Sequence, residues 1–343
     1  MASARPTSDH LPGLVDMHFD LPLALYDRRA QRGLLRDEFV PELRAGGVEL
    51  IGAALYIEEK YLPEMALRVA LDQAARLLEE IELAGQDVTL CRSYADIEGA
   101  RREGKIGVLL TMEGVEPLGT DLYLLRVFYE LGVRSVGLTH ARRNAAGDGG
   151  VFASAGSSPA GLSPFGKALL KECQRLGIVI DLAHLNPAGV DDALALTDGP
   201  VIISHTNPRR FHDIERNTGD AHIRAVGARG GVVGINAVLL SAEKEKATLD
   251  HYIDHIAYVA DLAGIDAVGV GFDFIEFLFR YWTPEQQAAL AASMIEAHQP
   301  PGLTNHSHAS NLRRRMRERG FRADEIEKVL RGNWLRVLQQ VIG

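Results

Sequence analysis

Apolar positions along the chain fall into two alternating rhythms. Short, nearly unbroken apolar runs recur at LVDMHFD (14–20), VELIGAALYIE (48–58), IGVLLTME (106–113), VRSVGLTH (133–140), GIVIDLAH (177–184), VIISH (201–205), GVVGINAV (231–238) and AVGVGFD (267–273). Eight runs of this kind suit parallel strands buried on both faces. Helical patterns separate them. Residues 64–85 carry apolar side chains at three- and four-residue spacing and stop at Gly85. Residues 120–132, 163–177 and 220–231 repeat the plan, each ending at glycine. The last two run straight into the next strand, as short αβ connections do. Eight strands with helical crossovers predict an α/β chain, a single (β/α)8 TIM barrel, with a doubly wound open sheet as the competing architecture. One domain is expected over 1–343, with the barrel over about 14–300 and helices over about 308–343. Segment 275–310 reads as an elaborated loop region after the eighth strand, and the last helix as interrupted near Gly332.

Composition narrows the function classes. The 343 residues are 46% hydrophobic and 24% charged, an ordinary globular balance. A formal charge of −9 argues against nucleic acid or an anionic membrane as partner. The basic run RRRMRER (313–319) is followed at once by acidic ADEIEK, so it reads as a solvated helix face. Cys91 and Cys173 stand far apart, which excludes a disulfide framework and a cysteine-type zinc site. The opening MASARPTSDHLPG lacks the apolar core of a signal peptide, and no apolar run reaches membrane-spanning length. A cytoplasmic protein is the expectation.

The chemistry lies in how the runs end. The first ends in His18 and Asp20, the third in Glu113, the fourth in His140, the fifth in His184, the sixth in His205 and the eighth in Asp273. Two residues apart in a strand, His18 and Asp20 share a face. A single histidine after an apolar run is usually a hydrogen-bonded structural residue. Six of eight runs ending this way is a pattern, because all C-terminal strand ends of a barrel open on one mouth. Histidines with carboxylates suit Zn²⁺ or another borderline first-row ion better than Ca²⁺ or Mg²⁺. Two ions about 3.5–4 Å apart would need a bridging carboxylate, and Glu113 is placed to be one. Such a site makes hydroxide available at neutral pH, and Asp273 could take its proton and pass it to a leaving amine.

In order along nearly the whole chain, VDMHFDLP, MEGVEPLG, GVRSVGLTHARRN, GLSPFGKALLKECQRLGIVIDLAHL, VIISHTN with IERNTGD, VGVGFDF and LRGNWLRVL make the sequence resemble the membrane (renal) dipeptidase family of the amidohydrolase superfamily. The resemblance implies a dipeptidase with two Zn²⁺ per chain on a (β/α)8 barrel. It assigns His18 and Asp20 to the first ion, Glu113 to the bridge, and His184 and His205 to the second ion. It makes Asp273 the catalytic proton carrier and His140 a residue that binds substrate and polarises its carbonyl. Arg216 would grip the substrate's C-terminal carboxylate, for which a bidentate fork is suited. It further implies a small dipeptide substrate, often with a D-residue at the C-terminal position, and a possible homodimer. Two departures fall in loops that would wall the pocket: Ile275 and Glu276 stand where relatives often have Asp-Gly, and NAVLLSAEK replaces an aromatic, proline-containing stretch.

Alternatives stay open at this level. An N-acyl-D-amino-acid deacylase or lactamase could use the same site, and an inactive barrel could serve binding alone. Arg142 and Arg143 either touch an acidic substrate group or face solvent. Asp181 either buttresses a ligand histidine or ends a strand. His212, His222, His251, His255, His298, His306 and His308 read as surface or structural residues.

Overall fold

The computed structural model describes residues 13–151, 160–238, 240–293 and 298–343. The stretch read above for a leader lies outside them up to residue 12. Its strands are β1 (Leu14–Phe19), β2 (Val48–Tyr56), β3 (Val88–Leu90), β4 (Ile106–Glu113), β5 (Val133–Gly137), β6 (Val179–Asp181), β7 (Ile202–Thr206), β8 (Val232–Ile235) and β9 (Val268–Val270). They pair in parallel in the order β1-β2-β4-β5-β6-β7-β8-β9, with β3 added beside β4. Eight of the nine are the strands predicted, wrapped into a nearly closed (β/α)8 barrel with helices outside. β3 is the addition. Its three residues are too few to show a period, and they pair with Ile106, Gly107 and Val108, below the point where β5 joins β4 at Leu110.

The ring closes at a seam between β1 and β9. There the Asp273 N–H donates to the His18 carbonyl at 3.4 Å, and the Phe272 N–H to Asp16 Oδ1 at 2.9 Å. A side chain therefore replaces part of the ladder.

Two apolar layers hold the fold. Strand residues Ile51, Ala53, Val108 and Leu110 face helix residues such as Val69, Leu77, Leu169 and Ile256. A smaller cluster joins Val15, Met17, Leu50, Leu109, Val179, Ile202 and Val232 to Trp334, Leu335, Val337 and Leu338 of the final helix, Asn333–Ile342. Several of these strand residues open their strands, so that helix plugs the N-terminal end of the barrel. Trp334 is fully buried, and its indole N–H donates to the Val270 carbonyl at 3.0 Å. Gly269 makes room, since a Cβ there would lie 2.5 Å from the indole.

The predicted helices form with trimmed ends, at Ala66–Leu83, Leu124–Leu131, Pro164–Leu176 and Asp220–Ala228. Ser163 Oγ caps the third by accepting the Gly166 N–H at 3.0 Å, and Gly177 stops it at φ 68°. Segment 275–310, expected as loop, contains helices Glu276–Phe279 and Pro284–Ser293. The expected interruption at Gly332 is a π-helical turn, Lys328–Gly332, that leads without a break into the plug helix. Among the described residues no helix is long and apolar enough to cross a membrane.

Candidate metal centre

Local irregularities at the strand ends aim the site residues. Between Asp16, opposite Ile51, and Phe19, opposite Ala53, β1 advances three residues while β2 advances two. That extra residue is a β-bulge, which turns His18 into the mouth. Gly52 across from it permits the bulge, because a Cβ there would lie 2.4 Å from the Met17 carbonyl. Asp20 does not share a strand face with His18 as the two-residue spacing suggested. It sits beyond the strand, at the N-cap of helix Leu21–Asp27, and makes no capping bond.

Glu113 is the last residue of β4, and His205 lies within β7. His140, His184 and Asp273 each lie three residues past their strands, which end earlier than the apolar runs do. His184 (φ 62°) and Asp273 (φ 56°) both adopt the left-handed conformation that non-glycine residues seldom enter.

All seven strand-end residues converge. His184 Nε2 lies 2.9 Å from Glu113 Oε1, and His205 Nε2 lies 3.4 Å from the same oxygen. His18 Nε2 is 3.7 Å from Glu113 Oε1, 3.7 Å from Asp273 Oδ1 and 3.8 Å from Asp20 Oδ1. Three groups have donor atoms close enough to hold an ion: His18–Glu113–His205, Glu113–His140–His184 and His18–Asp20–Asp273. Glu113 and His18 each belong to two of them. Donors about 2.0–2.1 Å from a tetrahedral zinc lie roughly 3.3–3.4 Å apart, close to the spacings seen.

The electrostatics fit a cation. Burial, with His205 alongside, pushes the His18 imidazole down to about 3, against the pull of Glu113. Burial takes His140 to about 4, and holds His184 and His205 well below the usual histidine range, with Arg216 adding to it. The rings are therefore neutral, the form that ligates metal. Burial, then Glu113, raises both Asp20 and Asp273, the latter to about 7. A cation among these carboxylates would reverse that and draw them into the ionised form. Buried atoms His18 Nε2 and Asp20 Oδ1 have no hydrogen-bond partner, which fits a role as metal ligands.

A cavity of about 520 Å³ opens over the cluster, bounded by Asp20, Tyr56, Glu113, His140, His184, Arg216 and Asp273, with Leu23, Val238, Ile275, Leu278 and Trp282 as apolar wall. Arg216, on the loop after β7, is buried, and its Nη2–H donates to the His205 carbonyl at 3.0 Å. Its Nε and Nη1 have no partner, which leaves the N–H groups of two nitrogens for an anion.

Sequence reasoning missed two contributors. Asn236, one residue past β8, donates from Nδ2 to Asp273 Oδ2 at 2.7 Å. Tyr56 ends β2 and sits 4.7 Å from the His140 ring. Both obey the strand-end rule and were passed over because an amide and a phenol are not metal-ligand types. Other expectations resolve plainly. Arg142 is tied to Glu116 at 2.8 Å and to the Ile57 carbonyl at 2.6 Å, and Arg143 pairs with Asp148. Asp181 accepts the Ser204 N–H at 2.9 Å, and Ser204 Oγ meets His205 Nδ1 at 2.8 Å, so it supports His205 at one remove.

The model of the family described as "Membrane dipeptidase (Peptidase family M19)" matches residues 1–282.

The chain belongs to the membrane dipeptidase family.

Among related proteins, it is 29% identical over 282 residues to dipeptidase tcpJ of Claviceps purpurea, a match covering 80% of this chain. The match spans only 60% of that protein's length. A crystal structure of a metallopeptidase from Rhodobacter sphaeroides, liganded with a phosphinate mimic of the dipeptide L-Ala-D-Ala, is similar with a TM-score of 0.84 and 25% identity, over 96% of this chain and 99% of that one. The crystal structure of dipeptidase AC, a metallopeptidase of family M19, matches with a TM-score of 0.83 and 27% identity over the same shares. Within this membrane dipeptidase fold both departures reach the cavity wall, the first through Ile275 and the second through Val238. Ile275 lines the cavity, whereas Glu276 turns to Arg280 at 2.8 Å.

Proposed function

We propose that the protein is a dipeptidase using two zinc ions, with Glu113 bridging them. His18 and Asp20 would hold one ion, His184 and His205 the other. The observation that carries this reading is the convergence of five imidazole and carboxylate side chains beneath a cavity that also holds an arginine with two unpartnered nitrogens. A bound zinc pair would supply Lewis-acid polarisation and would lower the pKa of a bound water to about 7.

The chain's own residues do the rest. Arg216 clamps the C-terminal carboxylate of a short peptide, which places the preceding peptide bond over Glu113. His140, a neutral imidazole, donates an N–H to the carbonyl oxygen as negative charge gathers there. Asn236 holds Asp273 Oδ2, leaving Oδ1 on the His18 side to take a proton from the attacking water and give it to the departing amine. Likeness to the Rhodobacter metallopeptidase supports dipeptides of L,D configuration as substrates.

Hydrolysis of L,L-, L,D- and N-acetyl-L,D-dipeptides tests the reading. Turnover confined to unblocked dipeptides is expected. Turnover of blocked or cyclic amides alone would make the protein a deacylase or lactamase on the same site.

A further inference from the structure

One tie at the barrel seam lies outside the metal centre. Asp16 is fully buried, and its Oδ1 accepts the His18 N–H at 3.2 Å and the Phe272 N–H at 2.9 Å. Its Oδ2 accepts a hydrogen bond from His306 Nε2 at 2.7 Å. A single carboxylate thus couples the backbone of a proposed zinc ligand to the residue preceding Asp273, and a histidine 290 positions away holds that carboxylate in place.

His306 is itself held from several sides. Its ring is met edge to face by Phe19 at 4.6 Å, Phe274 at 5.0 Å and Phe272 at 6.2 Å. Phe19 separates His18 from Asp20, and the other two flank Asp273. The His306 carbonyl rests on Gly46, where a Cβ would lie 2.0 Å away. The segment that supplies it lies beyond residues 1–282, the part matched by the family model.

We propose that the Asp16–His306 pair is a positioning device, by which the C-terminal segment sets where His18 and Asp273 stand and so tunes the ion held on the His18 side. The inference rests on the two-zinc dipeptidase reading. The other ion would be held by His184 and His205, which lie on neither seam strand, so the larger effect falls on the His18 side. Residues that orient a ligand from behind are commonly worth 10–100-fold in metal affinity or activity.

The test is a zinc titration of the chelated full-length chain against a chromophoric competitor, with kcat and KM for an L,D-dipeptide measured on the same samples. His306→Phe fills the aromatic box but cannot donate; one of the two equivalents should weaken about 10-fold or more, with kcat falling and KM little moved. His306→Gln keeps a donor and should recover both affinity and kcat. Gly46→Ala removes no bonding group but displaces the His306 backbone, and should weaken the same single equivalent; it also serves should His306→Phe fail to fold. Wild-type affinity for both ions and wild-type kcat in His306→Phe would overturn the proposal. Equal loss in the Phe and Gln variants, with wild-type melting, would overturn it too, because the donor would then be irrelevant. A wild-type chain that binds no zinc would instead overturn the dipeptidase reading.

Discussion

At the scale of residues, two of the site's side chains stand on backbone in an uncommon conformation. His184 and Asp273 both stand at positive φ, a cost of about 1–3 kcal/mol each that the surrounding barrel must sustain. Strain of this kind has a use when an exact donor position is worth more than local relaxation. Asp273→Asn keeps size and shape but cannot carry the proton. Its kcat should fall about 10²–10⁴-fold with both zinc equivalents retained; loss of one equivalent would mean that Asp273 is a ligand. Arg216→Lys replaces a fork by a point charge, and about 1.5–3 kcal/mol of charge-assisted bonding is at stake. KM for a free-acid dipeptide should rise 10–100-fold while that for the C-terminal amide stays near its starting value, so the ratio of the two is the quantity to measure. Every ligand-type residue proposed here was legible in the sequence, because histidine and carboxylate after apolar runs are chemically conspicuous. Asn236 and Asp16 were not, because their work is to hold another side chain or a strand, and only contact reveals that.

At the scale of elements, strand positions were readable and strand ends were not. The apolar runs continue into the loops that carry His140, His184 and Asp273, since those loops are buried too. Hydrophobicity therefore marked the buried segment, whereas the ladder stops up to three residues earlier. The bulge in β1 is likewise invisible to a period-two pattern, although Gly52 across from it is its permissive partner. At the opposite end of the barrel, Gly269 makes way for Trp334. Gly269→Ala should lower stability by about 1–3 kcal/mol through overpacking, seen as a lower Tm, with zinc stoichiometry unchanged. An unaltered Tm would show that the plug helix can shift without loss.

At the scale of the whole molecule, the barrel separates its tasks by end. The N-terminal end is sealed by the final helix, and the C-terminal end carries the histidine and carboxylate cluster and the cavity. Fold and family were accessible from sequence because the motifs occur in order over nearly the full chain. The role of residues 298–343 was not, since neither the histidine on the seam nor the plugging tryptophan bears a motif that says which end it reaches.

The central claim is that two ions held by His18, Asp20, Glu113, His184 and His205 make this barrel a dipeptidase. Zinc titration of the chelated protein, with hydrolysis of an unblocked L,D-dipeptide followed at each point, tests it most directly. The account predicts no turnover without metal, activity that is complete at two equivalents, and no second-equivalent binding in His205→Ala. Full hydrolysis in the chelated protein, or saturation of both binding and activity at one equivalent, would contradict it.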